Sequence, residues 1–167
     1  EDVLVLGASG GVGHAAVQLA AATGAQVVTT AAPDYHERIE ALGADVVLDY
    51  AREDLADAVL DATDGGVDVV LDHRLDDYLQ FDATVARTGA RVVGIGNTQP
   101  EAGFSNVPAA RSKEVSYTLM SMYNTPDIGA VLRRLAVLMA EGDLTAELAR
   151  TYDLDEAAEA QRAVLED

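Results

Sequence analysis

Short apolar runs alternate along the chain with amphipathic stretches of helical periodicity. The first run, Val3 to Leu6, has four consecutive apolar residues, too few for a helix and too uniformly apolar for a half-exposed strand. It therefore predicts a strand that is buried on both faces, as in a parallel sheet. Later runs predict further strands at Gln26 to Thr30, Val46 to Leu48, Val67 to Leu71, Arg91 to Ile95 and Val115 to Met120.

Helical stretches lie between these runs, and glycines set several of their predicted ends. Gly24, Gly43 and Gly142 each follow a periodic stretch, where a glycine favours a helix stop. In the first helix we expect Val17, Leu19 and Ala20 to point inward. The predicted helices cover Gly11 to Ala22, Asp34 to Leu42, Glu53 to Ala62, Tyr78 to Ala86, a stretch after Thr125 that ends near Ala140, and a last helix after Asp153.

The predicted helix starts follow two sequence signatures, the capping box and a Thr-Pro pair at the first helical turn. Residues 96–113 are rich in glycine, proline and asparagine and are predicted to be irregular. Residues 149–152 are predicted to be a short extended piece. The predicted caps are Asp34 with Glu37, Thr125 before Pro126, and Asp153 with Glu156.

Strands that alternate with helices of roughly 10–15 residues imply right-handed βαβ crossovers and a parallel sheet. We therefore predict an α/β fold, a doubly wound six-stranded Rossmann sheet with helices on both faces and strand order 3-2-1-4-5-6. The 167 residues fit one domain. In such a sheet the ligand lies across the carboxyl ends of the first and fourth strands.

A glycine-rich turn, GASGGVG from Gly7 to Gly13, follows the first strand and opens the first helix. Backbone N–H groups at a helix N-terminus, with the positive end of the helix dipole behind them, form a seat for phosphate. Gly7 permits the tight turn, Gly10 and Gly11 let a pyrophosphate approach the backbone, and Gly13 lets the helix pack against the strand. The turn, which also contains Ser9 and Val12, is predicted to bind a dinucleotide.

The end of the second strand bears on which dinucleotide is bound. NAD-specific sites usually carry Asp or Glu there to bind the ribose hydroxyls, but this strand ends Thr29-Thr30-Ala31-Ala32. Asp34 follows, and we interpret it as a helix cap rather than a ribose ligand. For Arg38, a surface ion pair with Glu37 or Glu40 is an alternative to phosphate binding. We predict NADP(H), with candidate 2′-phosphate ligands at Thr29, Thr30, Tyr35, Arg38 and Tyr50.

Composition excludes several classes of function. The net charge is −18, with Lys113 as the only lysine, so nucleic acid and anionic membranes are not expected as partners. The chain has no cysteine, which excludes disulfides, thiolate metal sites and thiol nucleophiles. No apolar run approaches the roughly 20 residues that span a bilayer, and no signal-peptide pattern precedes the first strand. We therefore predict a cytoplasmic protein.

An acidic surface of this kind is compatible with concentrated salt, where the Debye length falls to about 3 Å at 1 M. The composition resembles that of haloarchaeal cytoplasmic proteins. We expect the fold to loosen at low ionic strength. Thermal unfolding in dilute buffer and in molar salt tests this expectation, and an unchanged melting temperature would contradict it.

Four stretches resemble the nucleotide-binding domain of the medium-chain dehydrogenase/reductase superfamily, in its NADPH:quinone oxidoreductase (zeta-crystallin-like) branch. The resemblance implies that Tyr50 helps to hold the 2′-phosphate and that Tyr35 stands where some members carry lysine. It also implies that Ile95, Gly96 and Asn97 line the nicotinamide side. The four stretches are VLVLGASGGVGHAAVQLAAATGAQVVTT, EALGADVVLDY, VDVVLD with TGARVVGIGN, and YDLDEAAEAQRAVLE.

Of the three histidines, only His73 is a candidate for the cofactor site. His73 follows Asp72 where family members have a Val-Gly-Gly or Ser-Val-Gly turn. It is a candidate for contact with the cofactor or for proton donation, and otherwise a partly exposed loop residue. His14 and His36 lie at helix starts without partners, and no chemistry is assigned to them.

The resemblance implies hydride transfer from NADPH to a quinone or to an electron-poor alkene or carbonyl, without zinc. Family enzymes place a GroES-like barrel before this domain and end with a strand that returns to it. Residues 1–167 are therefore expected to be one NAD(P)-binding domain of a longer enzyme, with no catalytic residue and no metal ligand of its own. Alone, the domain is expected to bind NADPH weakly and to turn nothing over.

Two other functions stay open at this point. One is the cofactor domain of a zinc-type alcohol dehydrogenase or enoyl reductase, which cysteine and histidine ligands in an upstream sequence would indicate. The other is a nucleotide-sensing regulatory Rossmann module, against which the C-terminal YDLDEAAEAQ stretch argues. Relatives dimerise through the sixth strand, so we expect a homodimer with a continuous sheet; an edge covered by residues 97–113 is the alternative.

Overall fold

A computed structural model describes residues 1–148 and 150–166. Its centre is one sheet of six parallel strands in the order β3-β2-β1-β4-β5-β6, which confirms the predicted fold and strand order. The order reverses between β1 and β4, so the carboxyl ends of these two strands border the ligand crevice of a doubly wound sheet. The strands are β1 (Asp2–Val5), β2 (Gln26–Ala31), β3 (Val46–Asp49), β4 (Val67–Asp72), β5 (Ala86–Gly94) and β6 (Ser116–Leu119).

Helices cross between the strands, as the parallel pairing requires. Gly24, at φ +78°, and Gly142, at φ +87°, end two of them in the left-handed conformation that glycine adopts easily. None of the described helices combines the length and the apolarity needed to cross a bilayer. The helices are α1 (Gly11–Ala22), α2 (His36–Ala41), α3 (Leu55–Ala62), α4 (Leu75–Val85), α5 (Val107–Ser112), α6 (Ile128–Glu141) and α7 (Ala157–Glu166).

The predicted capping box at α2 is wrong. Asp34 lies inside a short 3-10 turn, Pro33–Tyr35, and no side chain in the described part of the chain caps either the turn or the helix. The turn closes through the Tyr35 N–H, which donates to the Ala32 carbonyl at 3.0 Å. Pro33, whose φ is already set for a first helical position, starts the turn one residue before Asp34 can act as a cap.

The start of α6 also differs from the prediction, whereas the last cap is confirmed. The carboxylate of Asp127 accepts from the Ala130 N–H at 2.8 Å, so Asp127 and not Thr125 is the N-cap. Aspartate is the stronger cap of the two. Asp153 and Glu156 form the predicted capping box before α7. The extended piece predicted for 149–152 includes Ala149, which lies outside the described residues.

Residues 96–113 are not wholly irregular, because α5 lies within them. The side chain of Asn106 accepts from the Ala109 N–H at 3.1 Å, and Pro108 occupies the first turn. The backbone N–H of Asn106 donates in turn to the Gln80 side chain at 2.8 Å, which ties the loop to α4. An Asn cap followed by proline in the first helical turn is the signal that the composition of this stretch obscured.

The core lies on both faces of the sheet, because successive strand residues point to opposite sides. Leu4 and Leu6 belong to one buried cluster, and Val5 belongs to the other together with Val17 of α1. Val17 points inward as predicted, but Leu19 is only half-buried. The buried position beside Val17 is Gln18 instead, for a reason that the tertiary structure supplies below.

Strand β6 forms the end of the sheet and, among residues 1–148 and 150–166, pairs only with β5. No backbone hydrogen bond joins residues 97–113 to β6 in the part of the chain that the structure describes. The loop instead covers a face, where the Phe104 ring packs edge-on against Tyr117 at 5.5 Å between centroids. Leu119, at the end of β6, is 75% exposed.

Candidate cofactor-binding site

The turn from Gly7 to Gly13 is held by the end of β2. Gly7 has φ +74°, and its N–H donates to the hydroxyl of Thr30 at 3.0 Å. The N–H of Ala8 donates to the Thr30 carbonyl at 2.9 Å. The N–H of Gly10 donates to the Gly7 carbonyl at 3.2 Å, which closes the turn. The Gly10 amide is therefore occupied within the turn rather than free for a ligand.

Gly13 is the position where α1 approaches the strand most closely. A Cβ atom added there would lie well under 3 Å from the Gly7 carbonyl oxygen and 2.8 Å from the Ala8 Cα. Both are backbone atoms, so neither can rotate away. The geometry agrees with the predicted role of Gly13 in close helix–strand packing. A Cβ on Gly11, by contrast, would meet no atom within 4 Å.

Several N–H groups of the turn have no protein acceptor. Within the described residues, the N–H groups of Ser9, Gly11 and Val12 make no hydrogen bond, and all three residues are exposed. They surround the N-terminus of α1, whose first turn contains no acidic side chain. Free N–H groups together with the positive end of a helix dipole attract a phosphate group.

A first cavity of about 510 Å³ opens beside the turn, at the carboxyl ends of β1, β4 and β5. Its walls include apolar side chains from each of these strand ends, together with Tyr50 after β3. This cavity brings together ten of the residues that the sequence predicted for cofactor binding: Gly7, Ser9, Gly10, Gly11, Val12, Gly13, Thr30, Tyr50, His73 and Ile95.

A second cavity of about 590 Å³ lies on the other side of the same turn, which contributes Ser9, Gly10 and Gly11 to both. Tyr35 and Arg38 line this second cavity. The sequence placed these two residues together with Thr30 and Tyr50 around one phosphate, but the structure separates the two pairs. Arg38 forms an ion pair there with Glu147, rather than with Glu37 or Glu40.

Three predicted residues line neither cavity. The candidate role of Thr29 is wrong, because its side chain is fully buried and its hydroxyl donates to the Val5 carbonyl. Strand alternation turns Thr30 toward the glycine turn and Thr29 into the core. Gly96 lies beneath the β4–α4 loop, where its carbonyl accepts from the Leu75 N–H at 3.1 Å. Asn97 is exposed, and its side chain donates to the Gln99 carbonyl at 2.9 Å.

His73 lies in the loop after β4, exposed and on the wall of the first cavity. Its ring covers Gly7, since a Cβ on Gly7 would lie 2.5 Å from the His73 Cε1. Gly96 makes room for the same loop, because a Cβ there would lie 2.5 Å from the His73 carbonyl oxygen. The imidazole therefore lies over the glycine turn, at the wall of the first cavity.

Arg74 and Tyr78 also line the first cavity and were not predicted. Arg74 precedes α4 and forms an ion pair with Asp77. Tyr78 is half-buried, and burial raises the pKa of its phenol. Their position after β4 was the available signal, because the ligand of a doubly wound sheet lies at the carboxyl ends of β1 and β4.

Beneath this loop lie two fully buried carboxyl groups, Asp72 at the end of β4 and Asp82 in α4. Asp72 Oδ1 accepts from the Arg74 N–H at 2.6 Å, but its Oδ2 and both oxygens of Asp82 find no donor among the described residues. Burial, followed by the negative charge of Asp72, raises the pKa of Asp82 to about 9. Asp82 is therefore protonated at neutral pH and can donate to Asp72.

Metal ligands are not grouped anywhere in the described part of the chain. No cluster of three or more His, Asp or Glu side chains there could hold a metal ion, and the sequence has no cysteine. The residues described here do not fit a zinc ion of the catalytic or the structural kind. The free amides and glycine cradle do fit the diphosphate of a dinucleotide.

Comparison with known proteins agrees with this geometry. The chain is 32% identical over 169 residues to a phenolphthiocerol/phthiocerol polyketide synthase protein of Mycobacterium tuberculosis, a match that covers 97% of this chain and 8% of that protein. Among solved structures, CurK enoyl reductase superposes with a TM-score of 0.81 at 30% identity, covering 99% of this chain and 51% of that one. Escherichia coli quinone oxidoreductase complexed with NADPH gives a TM-score of 0.79 at 27% identity, covering 89% and 48%.

The chain thus spans about half the length of these structural neighbours and a small part of the polyketide synthase protein. A family described as zinc-binding dehydrogenase matches residues 11–137, which include the helix after the glycine turn and most of the sheet. These matches imply a nicotinamide cofactor. The chain belongs to the zinc-binding dehydrogenase family, among the oxidoreductases of the medium-chain dehydrogenase/reductase superfamily.

Proposed function

We propose that this chain is the NADP(H)-binding domain of a zinc-independent oxidoreductase, which transfers hydride from NADPH to a quinone or to an activated alkene or carbonyl. The observation that carries the proposal is the row of free amides at Ser9, Gly11 and Val12, exposed at the N-terminus of α1 between two cavities. A diphosphate bound there would extend one half of the dinucleotide into each cavity.

Bound NADPH would supply two electrons as a hydride, and the reduced acceptor would take up a proton. The chain's own residues would bind and orient the cofactor, and they would exclude water from it. The apolar side chains of Leu6, Leu71 and Ile95 line the first cavity and would shield the reacting ring from solvent. His73, which covers Gly7, would fix the ring from the side of the diphosphate.

The choice of NADP(H) rests on the second cavity and on the end of β2. No carboxylate stands at the end of β2 to repel a 2′-phosphate, and Arg38 offers a guanidinium to it in the second cavity. Tyr35 lines the same cavity and can donate a phenol hydrogen bond.

We expect the chain to bind NADPH more tightly than NADH. The chain has no tryptophan, so the fluorescence of the reduced nicotinamide can be followed in a titration without energy transfer from indole. The two cofactors differ only in the 2′-phosphate, which makes NADH the matched control. Tighter binding of NADH would contradict the proposed cofactor.

Enoyl reduction is the second candidate, because CurK enoyl reductase and a polyketide synthase protein are among the relatives. With an enzyme that contains this domain, oxidation of NADPH in the presence of a simple quinone or of an enoyl thioester would separate the two acceptors. Residues 1–167 alone are expected to turn over neither. Robust quinone reduction by the isolated chain would contradict its assignment as a cofactor domain.

We also propose that two copies pair through β6 into a continuous sheet. No described strand pairs with the outer edge of β6, and Leu119 and Met120 at its end are 75% and 47% exposed. Leu119→Lys is expected to convert a dimer to a monomer in light scattering after gel filtration, while the variant still unfolds in a cooperative thermal transition. A wild-type chain that stays monomeric at high concentration would contradict this.

A further inference from the structure

We propose that Glu147 competes with the cofactor's 2′-phosphate for Arg38 and so lowers the preference of this site for NADP(H) over NAD(H). Glu147 belongs to residues 144–148, which we call the return segment because they run from the end of α6 back to α1. This inference rests on the proposed function, since it concerns selectivity between two nicotinamide dinucleotides.

The return segment is attached to α1 by the side chain of Gln18. The Gln18 Oε1 accepts from the Thr145 N–H at 2.7 Å and from its hydroxyl at 3.0 Å. The Gln18 Nε2 donates to the Thr145 carbonyl and to the His14 carbonyl, both at 3.1 Å. One carboxamide thus satisfies both backbone groups of Thr145, which explains why a glutamine is buried beside Val17 in α1.

This attachment places Glu147 at the second cavity. Leu144 is buried and Thr145 is held by Gln18, so Glu147, two residues further on, begins from an anchored position. Its carboxylate pairs with the guanidinium of Arg38, and both residues line the cavity with Ser9 and Gly10. The same wall therefore contains the diphosphate seat, a cation and a carboxylate.

A phosphate at this wall would meet two opposite charges, the guanidinium of Arg38 and the carboxylate of Glu147. Arg38 is the guanidinium that lines the second cavity, and Glu147 already neutralises it. A 2′-phosphate has to displace Glu147 or accept a carboxylate beside it, and both choices weaken its binding. The ribose 2′-hydroxyl of NADH carries no charge and does not need the guanidinium.

The ion pair is exposed enough to be displaced. The side chain of Arg38 is 47% exposed and that of Glu147 is 33% exposed. Exposed pairs are weak, so Glu147 attenuates phosphate binding without abolishing it. Removing the carboxylate frees the guanidinium and ends the repulsion, for which we expect about tenfold tighter NADPH binding, or about 1.4 kcal/mol.

The test compares Glu147→Gln with Glu53→Gln by titration of NADPH and NADH at one ionic strength. Glu53 is exposed and outside both cavities, so its variant makes the same change in net charge without touching Arg38. We expect Glu147→Gln to tighten NADPH about tenfold and to change NADH by less than about twofold. Glu53→Gln is expected to change neither. Melting temperatures of the variants establish that each is folded.

Arg38→Gln, alone and combined with Glu147→Gln, tests whether the gain in NADPH affinity comes from the guanidinium of Arg38. We expect Arg38→Gln to weaken NADPH, and the double variant to gain much less from Glu147→Gln than the wild type does. An unchanged ratio of NADPH to NADH affinity in Glu147→Gln overturns the inference, as does an equal gain in Glu53→Gln. A wild type that prefers NADH contradicts the proposed cofactor but not the role of Glu147. That role predicts only how Glu147→Gln changes the ratio of NADPH to NADH affinity. A wild type that binds neither cofactor contradicts both.

Discussion

Replacing Gly13 with alanine is expected to destabilise the fold and to weaken NADPH binding by an order of magnitude or more. The new methyl group would collide with the Gly7 carbonyl and with the Ala8 Cα, so β1 and α1 would have to separate. Overpacking of this kind costs about 1–3 kcal/mol. For a domain of this size, that corresponds to a fall in melting temperature of roughly 2–12 °C. Because the turn would move, the free amides of Gly11 and Val12 would lose their common direction.

Gly11→Ala is the matched control for this prediction. A Cβ at Gly11 meets no atom within 4 Å, and alanine favours a helix over glycine by up to about 1 kcal/mol. We expect its melting temperature to equal or exceed that of the wild type. Its NADPH affinity should nevertheless fall, because the methyl group stands where a diphosphate approaches the backbone. Equal melting temperatures for Gly13→Ala and the wild type would show that the close helix–strand approach is not needed.

Asp82→Asn is expected to stabilise the protein at alkaline pH and to flatten its stability profile. The pKa of Asp82 is raised to about 9 in the folded chain, chiefly by burial, whereas an unfolded aspartate titrates near 4. Between these values the folded state holds a proton that the unfolded state has lost. The contribution of Asp82 to the free energy of unfolding therefore falls by about 1.4 kcal/mol per pH unit as the pH rises from about 4 to about 9.

An asparagine at position 82 keeps the shape of the protonated side chain and can still donate to Asp72, but it has no proton to lose. Urea unfolding from pH 5 to pH 9 is the measurement, and the expected gain at pH 8 is on the order of several kcal/mol. Asp61→Asn is the control, because Asp61 is exposed on α3 and makes no ion pair or side-chain hydrogen bond with the described residues. Equal slopes for Asp82→Asn and the wild type would show that Asp82 is already ionised in the folded chain.

Part of the geometry of the glycine turn can be predicted from the sequence. The sequence predicts a tight turn at Gly7 and a close helix–strand approach at Gly13. The structure shows a positive φ at Gly7 and backbone atoms close to Gly13. Both requirements are local, because a short turn between a buried strand and a helix leaves little space for side chains. The same reasoning did not reveal that Gly10 uses its own N–H to close the turn.

The two threonines at the end of β2 show what strand alternation by itself leaves open. The sequence predicts the same ligand role for Thr29 and Thr30, although neighbouring residues of a strand point to opposite faces. The structure directs Thr29 to the Val5 carbonyl inside the sheet and Thr30 to the N–H of Gly7 at the turn. The alternation was visible in the sequence, but which face meets the turn was not.

The sequence by itself determined the sheet, its strand order and the glycine turn, because hydrophobic periodicity and turn-forming glycines act between residues close together in the chain. Only the tertiary structure decided that Arg38 meets Glu147, 109 positions later, and that Gln18 is buried against Thr145. It also decided that Asp82, in the middle of a helix, lies in the interior beside Asp72. These pairings depend on how helices and returning segments pack in three dimensions, and no local pattern of residues records that packing.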